Sequence, residues 1–497
     1  MRCPNRIPNR IKTPAGFIAA LGLSACATVG PNFVPPAPPA VTGYLMAGDL
    51  VSSVTMLNPE SRRAGPWWEA LGSADLNAVM MAALRGNQTL ATAEATLEQT
   101  RVEAERARVA ARSPSVTVNA AASRDRINTS AFGFGGFPSP TINLFSVGAA
   151  TSYDLDLAGG ARRRIEAAGA AQAAQGYRTD AAYLTLTGNV ALAAVKIAGL
   201  REQLAALQTL EADDQAMIDI DRRADAAGGV STASGVADRA QLAQDQALTP
   251  VVTQNLALAR HALALLAGKT PSQWAPPDFA FAQFTPPAVV PLDLPSAWVR
   301  NRPDILAAEA DLHADTARIG VATADFYPDV KLTASFTQMA LKPSTFLDYG
   351  SSGWNFGPTL TMPILSARTR RVHLAAAQTQ ARLSMARYRQ TVLTAFAQVA
   401  DVLTAIGHDD ERLVADRRYE TAAQTGLRDA QTAFDLGGGP RQAVVQARRR
   451  LDRAGLARIE SQGRRLMDVV ELYAVTSAAD RPSTVDHPIA ATRAGGH

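Results

Sequence analysis

Apolar residues recur at alternating spacings of three and four positions along three long segments of this 497-residue chain. The residues of the first repeat are Leu186, Val190, Ala193, Ile197, Leu200, Leu204 and Leu207. The second repeat consists of Val392, Ala395, Val399, Val402 and Ile406, and the third of Ile459, Gly463, Leu466, Val470 and Tyr473. This spacing places the apolar residues on one helix face and is typical of coiled-coil seams. The pattern predicts helices that pack lengthwise against partners, and it fits an ordinary globular bundle poorly.

The positions of the prolines indicate how long these helices are. No proline occurs between Pro140 and Pro250 or between Pro363 and Pro440, and both intervals are rich in helix-forming residues. A helix over residues 161–227 would extend about 100 Å at about 1.5 Å per residue. Uncharged apolar runs of about 18 residues are absent from the sequence, so we predict no membrane-spanning helix.

Two segments that alternate between apolar and polar residues interrupt the helical pattern. They cover residues 114–120 and 328–334, and each continues through a loop into a second extended run, at 144–157 and 354–365. This arrangement predicts two β-hairpins, each set between helices. Twelve of the 29 aromatic residues lie in or beside these hairpins. Aromatic residues with a period of two are a weak signature of a membrane β-barrel. A soluble hairpin is the alternative, because aromatic residues favour strands in general.

The chain contains an internal duplication. The segment Ala-Glu-Ala-Thr-Leu at 93–97 matches Ala-Glu-Ala-Asp-Leu at 308–312, at an offset of 215 residues. Each copy leads through a helix into a hairpin, then into a long helix, a turn and a further helix. Glycine can leave a helix and proline can begin one, which locates the two turns. The turn residues are Gly228, Gly229, Gly437, Gly438, Gly439 and Pro440.

The first 26 residues are organised as a secretory signal. A basic region at 2–12 precedes an apolar run at 17–23 and the sequence Leu-Ser-Ala-Cys, which ends at Cys26. That ending resembles a bacterial lipobox, in which the cysteine thiol is lipidated and becomes the mature N-terminus. Cys26 is therefore the predicted lipidation site, and the alternative is an ordinary signal peptide in which this cysteine has no role. The prolines at 31–39 predict an extended tether behind the lipid.

Charge and motifs exclude several function classes. Four of the 49 basic residues lie in the leader, which has no acidic residue, so 45 basic and 45 acidic residues remain. The net positive charge that would favour nucleic-acid binding is therefore absent without the leader. Gly268-Lys269-Thr270 lacks the first glycine of a phosphate-binding loop. The six histidines are scattered and no nucleophile–base arrangement can be identified, so we predict no enzyme, no cofactor and no metal site. Asp213 and Asp214 are predicted to be solvated or pore-lining charges.

Four stretches carry a family resemblance. They are residues 23–33, Pro-Trp-Trp at 66–68, Ser-Ala-Asp-Leu-Asn at 73–77, and the stretch at 300–328 that begins Arg-Asn-Arg-Pro-Asp-Ile and ends Phe-Tyr-Pro. On these residues the chain resembles the TolC-like family of outer-membrane efflux factors, in its NodT-type lipoprotein branch. The resemblance implies an α+β membrane protein built from the internal duplication. Its implied fold is a trimeric outer-membrane β-barrel, with four strands per chain, continued by a long periplasmic α-helical barrel.

The function that the resemblance implies is that of an exit duct in a tripartite efflux or secretion system. Such a duct passes small molecules such as drugs from the periplasm to the exterior. The implied partners are two further copies of the chain in a homotrimer, a periplasmic adaptor protein, an inner-membrane efflux pump and outer-membrane lipid. The implied location is the cell outer membrane, with a lipid anchor and an extension into the periplasm. A lipid-anchored periplasmic coiled-coil adaptor without a pore is the alternative, in which the hairpins form a soluble domain.

The leader, the tether and the duplication predict five regions. These are a signal peptide at 1–25, a lipid-anchored N-terminal extension at 26–66, a first helix–hairpin–helix repeat at 67–285, a second repeat at 286–478, and a C-terminal tail at 479–497.

The resemblance also indicates where the duct would close. Some relatives close the periplasmic tip with rings of aspartates, and the corresponding positions here are Ala443, Gln446 and Gly235. Closure by acidic rings is therefore not expected. The polar residues near the two turns are the gate candidates, and they are Asp225, Asp238, Gln442 and Gln446.

Overall fold

Within the residues that the computed structural model describes, the chain forms eight α-helices and four β-strands. The described residues are 28–37, 43–49, 66–133, 135–228, 232–285, 301–362, 364 and 366–476. The elements in chain order are α1 (Ala74–Gly86), α2 (Gln88–Arg112), β1 (Ser115–Arg126), β2 (Thr141–Asp154), α3 (Gly160–Ala226), α4 (Thr232–Gln246), α5 (Leu248–Leu266), α6 (Pro303–Ala324), β3 (Asp329–Ala340), β4 (Ser352–Thr361), α7 (Ala367–Asp435) and α8 (Arg441–Thr476). Two residues of the predicted sites, Cys26 and Gly229, lie outside the described residues.

The two longest helices confirm the prediction of long rods. α3 contains 67 residues and α7 contains 69, so each extends about 100 Å at about 1.5 Å per residue. The Gly437 N–H donates to the Phe434 carbonyl at 2.9 Å, and the Gly438 N–H donates to the Ala433 carbonyl at 2.8 Å. Gly228 and Gly437, just beyond the two helices, have φ values of 77° and 76°. Glycine adopts this left-handed conformation without steric cost, which is why both rods end at glycines.

The described chain divides into two compact units, each assembled from three stretches of sequence. Of the described residues, the strand unit takes those of 28–35, 98–173 and 309–387, and it contains the four strands. The helical unit takes the described residues of 36–97, 174–308 and 388–476.

The four strands form one antiparallel sheet in the order β1-β2-β3-β4. Val118 pairs with Ala149, Ala149 pairs with Phe336, and Phe336 pairs with Trp354. Both predicted hairpins are present, and they join side by side through β2 and β3. Among the described residues β1 and β4 each have a single neighbouring strand, so the sheet of one chain has two open edges.

The residues of the three predicted repeats pack into the helical unit. Val190 and Ile197 of α3, Ile406 of α7 and Val470 of α8 are completely buried. Fully burying an aliphatic side chain of this size stabilises the fold by roughly 1.5–3 kcal/mol. The helices therefore pack through the faces that the three-and-four spacing predicts.

A short turn after α5 places an aromatic ring between α3 and α8. Phe281 is buried, and its Cζ atom lies 3.1 Å from the position that a Cβ atom would take at Gly199 and at Gly463. A larger residue at either glycine would push against this ring. The ring therefore explains why glycine occupies a position of the third apolar repeat. The Phe281 N–H donates to Glu202 Oε1 at 3.0 Å, which fixes the turn on α3.

Two helices are long and apolar enough to cross a membrane by length and composition alone. They are α3 and α7, and within α3 61% of the relevant 18-residue stretch is buried inside the chain. The sequence prediction missed these stretches because single charged residues interrupt them. Burial in the core accounts for the apolar character of the stretch in α3.

Candidate functional site

Strand pairing separates the residues of the sheet into two faces of opposite character. Directly paired residues of neighbouring strands share a face, and successive residues of one strand point to opposite faces. The face that carries Val118 is largely apolar, and we call it the apolar strand face. Its apolar residues are Val116, Val118, Ala120, Ala122, Phe145, Val147, Ala149, Tyr153, Val330, Leu332, Ala334, Phe336, Ala340, Trp354, Phe356, Pro358 and Leu360.

The apolar strand face is exposed in the single chain, whereas the other face is polar. Val118 and Trp354 are each 72% exposed. On the other face Ser335 Oγ donates to Asn355 Oδ1 at 3.0 Å, and hydroxyl-bearing residues recur along the same strands. An apolar surface of this extent suits hydrocarbon, and a hydroxyl-lined surface suits a water-filled interior. The alternation is that of a barrel wall with lipid outside and water inside.

Residues 28–33 lie on the strand unit in an arrangement that we call the N-terminal seat. Arg163, in the first turn of α3, has a side chain that is only 3% exposed. Its guanidinium donates to the Val29 carbonyl at 3.1 Å, to the Gly30 carbonyl at 3.3 Å and to Asn32 Oδ1 at 2.7 Å. One buried cation therefore fixes the backbone of the segment that follows the predicted lipidation site.

Close backbone approach completes the N-terminal seat. A Cβ atom added at Gly30 would lie 2.4 Å from Gly320 Cα, and one added at Gly159 would lie 2.7 Å from Thr28 Cγ2. These contacts are shorter than side-chain-bearing residues allow. Glycine is therefore required on both the segment and the surface that receives it.

A hydrogen-bonded relay extends the N-terminal seat to α6. Arg163 Nη1 donates to Glu166 Oε2 at 2.7 Å, and Glu166 Oε1 lies 2.9 Å from His313 Nε2. The His313 ring stacks on Phe33 with 4.4 Å between ring centroids. Burial alone would raise the pKa of Glu166, but hydrogen bonds from His313 and Arg163 outweigh burial and hold its pKa below the usual value. Glu166 therefore remains an anion that orients both partners.

The predicted gate residues differ in their surroundings in the described single chain. Asp225 and Gln446 are exposed, and Gln442 is half-buried. Asp238 accepts a hydrogen bond from Arg449 Nη1 at 3.2 Å. Asp238 is therefore held by a partner on α8, whereas the other three candidates lie at the surface of the helical unit.

Sequence reasoning missed a cluster of charges between α3, α4 and α8, with buried carboxyl groups at its centre, which we call the carboxylate seam. Arg449 Nε lies 2.5 Å from Asp214 Oδ1, and Arg453 Nη2 lies 3.1 Å from Asp245 Oδ2. Asp213 and Asp214 are buried, so the prediction that they are solvated or pore-lining is wrong. Their cationic partners stand more than 200 residues later in the sequence. The seam consists of Asp213, Asp214, Asp221, Asp238, Asp245, Arg448, Arg449, Asp452 and Arg453.

One signal in the sequence does locate the carboxylate seam. On α3 the spacing of three and four continues beyond Leu207 after one break, a second step of three to Leu210, and its next members are Asp214, Met217 and Asp221. On α8 the same spacing extends back from Ile459 to Asp452 and Arg449. A search restricted to apolar residues ends before these charges, although their positions belong to the same helix faces.

Known proteins share this architecture. The chain matches the family model described as outer membrane efflux protein over residues 79–269 and 294–478. It is 29% identical over 471 residues to the outer membrane protein OprJ of Pseudomonas aeruginosa, and the matched region covers 92% of this chain and 94% of OprJ. It is 26% identical over 439 residues to the probable outer membrane lipoprotein SilC of Salmonella typhimurium, and the matched region covers 86% of this chain and 90% of SilC. The solved structure of the outer-membrane channel OprN matches with a TM-score of 0.79 at 24% identity, over 91% of this chain and 99% of that one.

These matches confirm the resemblance, the fold of four strands and long helices per chain, and the channel function. The alternative of a periplasmic adaptor without a pore is wrong, because the family model covers both repeats of the duplication. The chain belongs to the outer membrane efflux protein family, whose members are non-enzymatic outer-membrane channels of tripartite export systems.

Proposed function

We propose that three copies of this chain close a 12-stranded barrel that is anchored by lipid at Cys26 and serves as the exit duct for small molecules such as drugs. The observation that carries this proposal is the exposed apolar strand face on a sheet with two open edges. In lipid every backbone polar group needs a partner, so an open sheet edge is not tolerated. Four strands are too few to close around a water-filled lumen, and pairing of β1 with β4 of the next copy removes both edges.

The lipid anchor rests on the leader and on the N-terminal seat. Cys26 stands two residues before Thr28, which contacts Gly159 at the start of α3. Two residues of extended chain span at most about 7 Å, so a lipid on this cysteine would begin close to the strand–helix junction. The similarity to a probable outer membrane lipoprotein supports this assignment. The protein would then reside in the outer membrane with its helices in the periplasm.

The partners in this proposal are a periplasmic adaptor protein and an inner-membrane efflux pump. The turns that follow α3 and α7 lie at the ends of the two rods, and we assign the adaptor to these tips. The gate would rest on contacts between neighbouring helix pairs, with the exposed Asp225 and Gln446 and the half-buried Gln442 as the polar candidates. A neutral hydrogen bond contributes about 1 kcal/mol, so adaptor binding can open such a closure without an energy source in the duct itself.

Planar bilayers and cell fractions test the duct. Purified full-length protein should produce discrete conductance steps, and outer-membrane fractions should contain heat-modifiable trimers. Recovery of the protein only as monomers, or a failure to conduct, would overturn the proposal.

Introduced cysteines test the position of the gate. The two natural cysteines are Cys3 in the leader and Cys26 at the lipid site, so new thiols stand alone in the mature chain. Cysteine pairs placed across neighbouring tips at Asp225 and Gln446 should abolish conductance when oxidised and restore it when reduced. The reduced form of each variant is its own control. A locked trimer that conducts as well as the reduced one places the gate elsewhere.

A further inference from the structure

The carboxylate seam contains more acid than base. Six carboxyl groups face three guanidinium groups across the contacts of α3 with α4 and α8. The side chain of Asp214 is fully buried, and those of Asp245 and Asp213 are 8% and 10% exposed. Arg448 Nη1 lies 3.5 Å from Asp213 Oδ1. If every group were ionised, the seam would carry three uncompensated negative charges, and unpaired buried charge is strongly unfavourable.

The carboxyl groups are arranged as three pairs, and each pair joins two helices. Asp213 of α3 adjoins Asp452 of α8, Asp214 of α3 adjoins Asp245 of α4, and Asp221 of α3 adjoins Asp238 of α4. Each pair contains a buried carboxyl oxygen that receives no hydrogen bond from the described residues, on Asp213 and Asp452, on Asp214, and on Asp221. Two carboxylates at hydrogen-bonding distance repel each other, whereas one carboxylate and one carboxylic acid share a proton. One shared proton in each pair would balance the three guanidinium groups. The number of pairs thus equals the number of excess charges.

The pKa values of the paired carboxyl groups agree with one shared proton in each pair. Burial, together with Asp213, raises the pKa of Asp452 to about 7 against the opposing effect of Arg448. Burial, together with Asp245, raises the pKa of Asp214 to about 6 although Arg449 and Arg453 oppose it.

The remaining groups of the seam follow the same rule. Burial and the neighbouring Asp238 raise the pKa of Asp221. Burial would also raise the pKa of Asp245, but hydrogen bonds from Gln241, Asp214 and Arg453 lower it. Each pair therefore contains a group that holds its proton above the usual range of an aspartate.

We propose that the carboxylate seam is a proton-operated clamp, which holds α3 against α4 and α8 in mildly acidic medium and loosens as the medium becomes alkaline. The consequence for the duct, a conductance that rises with pH, rests on the proposed function. The clamp itself concerns only the contact between these helices. The Arg–Asp ion pairs persist at alkaline pH, so the helices separate partially and the chain does not unfold.

The sign of the effect follows from proton linkage. A separated aspartate has a pKa near 3.9, so between about pH 4 and pH 7 the closed seam binds more protons than the open one. The stabilisation by shared protons is complete below about pH 4. It is lost as the pH rises through the window from about 6 to about 7.

Distances between spin labels test the clamp in the purified full-length protein. Exposed positions on α3 and α8 accept the labels, and Arg222→Cys with Gln446→Cys is a suitable pair. We expect the distance distribution to shift to longer values between pH 5.5 and pH 8, with a midpoint between 6 and 7. An unchanged distribution across this range would overturn the proposal.

Neutral isosteres provide the matched comparison. The triple variant Asp214→Asn, Asp221→Asn and Asp452→Asn removes one charge from each pair while it retains the shape and the hydrogen bonds. This variant should keep the short distance at both pH values, whereas Asp429→Asn, at an exposed position on α7, should shift as the original chain does. A pH-dependent distance that persists in the triple variant would also overturn the proposal.

Conductance separates the two proposals. If the distances shift with pH and the protein does not conduct at any pH, the clamp stands and the duct proposal fails. If the protein conducts and the distances do not shift, the duct stands and the clamp fails.

Discussion

Substitution of Arg163 by alanine should release the N-terminal seat while it leaves the barrel intact. The Arg163 side chain is almost fully buried and donates three hydrogen bonds to Val29, Gly30 and Asn32. Alanine removes all three donors and leaves the carbonyl acceptors of the segment without this partner. It also removes the partner of Glu166, whose carboxylate then loses part of its compensation. In the described part of the chain, the hydrogen bonds of this guanidinium go to residues outside the strands.

The size of the effect follows from the number of bonds. A hydrogen bond to a charged group contributes about 1.5–3 kcal/mol, so three bonds at the lower end contribute about 4.5 kcal/mol. Because every 1.4 kcal/mol is a tenfold change, the opening equilibrium of the seat should increase by about a thousandfold. The observed increase saturates once the segment is open most of the time.

Hydrogen exchange of the assembled protein measures this opening. The Val29 N–H donates to the Ala158 carbonyl at 3.2 Å, so it reports directly on whether residues 28–33 are seated. In Arg163→Ala, hydrogen exchange in a peptide that covers these residues should accelerate by about two to three orders of magnitude. Arg164→Ala is the matched control, because the adjacent Arg164 side chain is exposed. Equal exchange in the two variants would refute the assignment of Arg163 as the residue that fixes the segment.

Three further experiments test the lipid anchor, the strand faces and a carboxyl pair outside the carboxylate seam, Asp409 of α7 with Asp468 of α8. Cys26→Ser should abolish acyl labelling while trimers still insert, because the barrel buries far more apolar surface than one lipid anchor; persistent labelling contradicts the lipid assignment. Ala120→Arg, on the apolar strand face, should lower the stability of the membrane-embedded barrel by about 2–4 kcal/mol near mid-bilayer. The neighbouring Ala121→Arg, on the opposite face, should lower it little, so equal trimer yields of the two variants would count against membrane embedding. Burial and Asp409 raise the pKa of Asp468 to about 7, so Asp468→Asn should raise the thermal midpoint at pH 8 and change it little at pH 5. The reverse order of these shifts would contradict that argument.

The elements of the fold could be predicted because each is specified by a local pattern. The three-and-four spacing over Leu186–Leu207 appears in α3 as a buried face, and the alternation at 114–120 and 328–334 appears as β1 and β3. The long helices α3 and α7 end at glycines, as the sequence predicts, because only glycine takes a φ near 76° without strain. The spacing of apolar residues and the residues that form turns can both be recognised within a short stretch of sequence, without knowing which distant residues pack against it.

The N-terminal seat could not be predicted because its contacts join distant parts of the sequence. Arg163 is the middle of three consecutive arginines, and the sequence gives no reason to prefer it to Arg162 or Arg164. Its acceptors stand more than 130 residues earlier in the chain. Which arginine is buried depends on the rotation of α3 about its axis, and that rotation is set by packing against other elements. The same reasoning applies to Asp213 and Asp214, whose partners are on α8.

The extended spacing on α3 and α8 has a consequence for how the helices separate. Up to Leu210 the repeat on α3 is apolar, and beyond it the charged Asp214 and Asp221 alternate with the buried Met217, within the last 13 residues of the rod. An apolar seam has nearly the same strength at every pH, because its burial involves no proton. A seam of shared carboxyl pairs depends on the proton concentration, and a polar residue at such a position costs stability while it fixes register. The contact between the helices is therefore independent of pH along most of α3 and adjustable near its end, which is where the proposed gate at the tip would require movement.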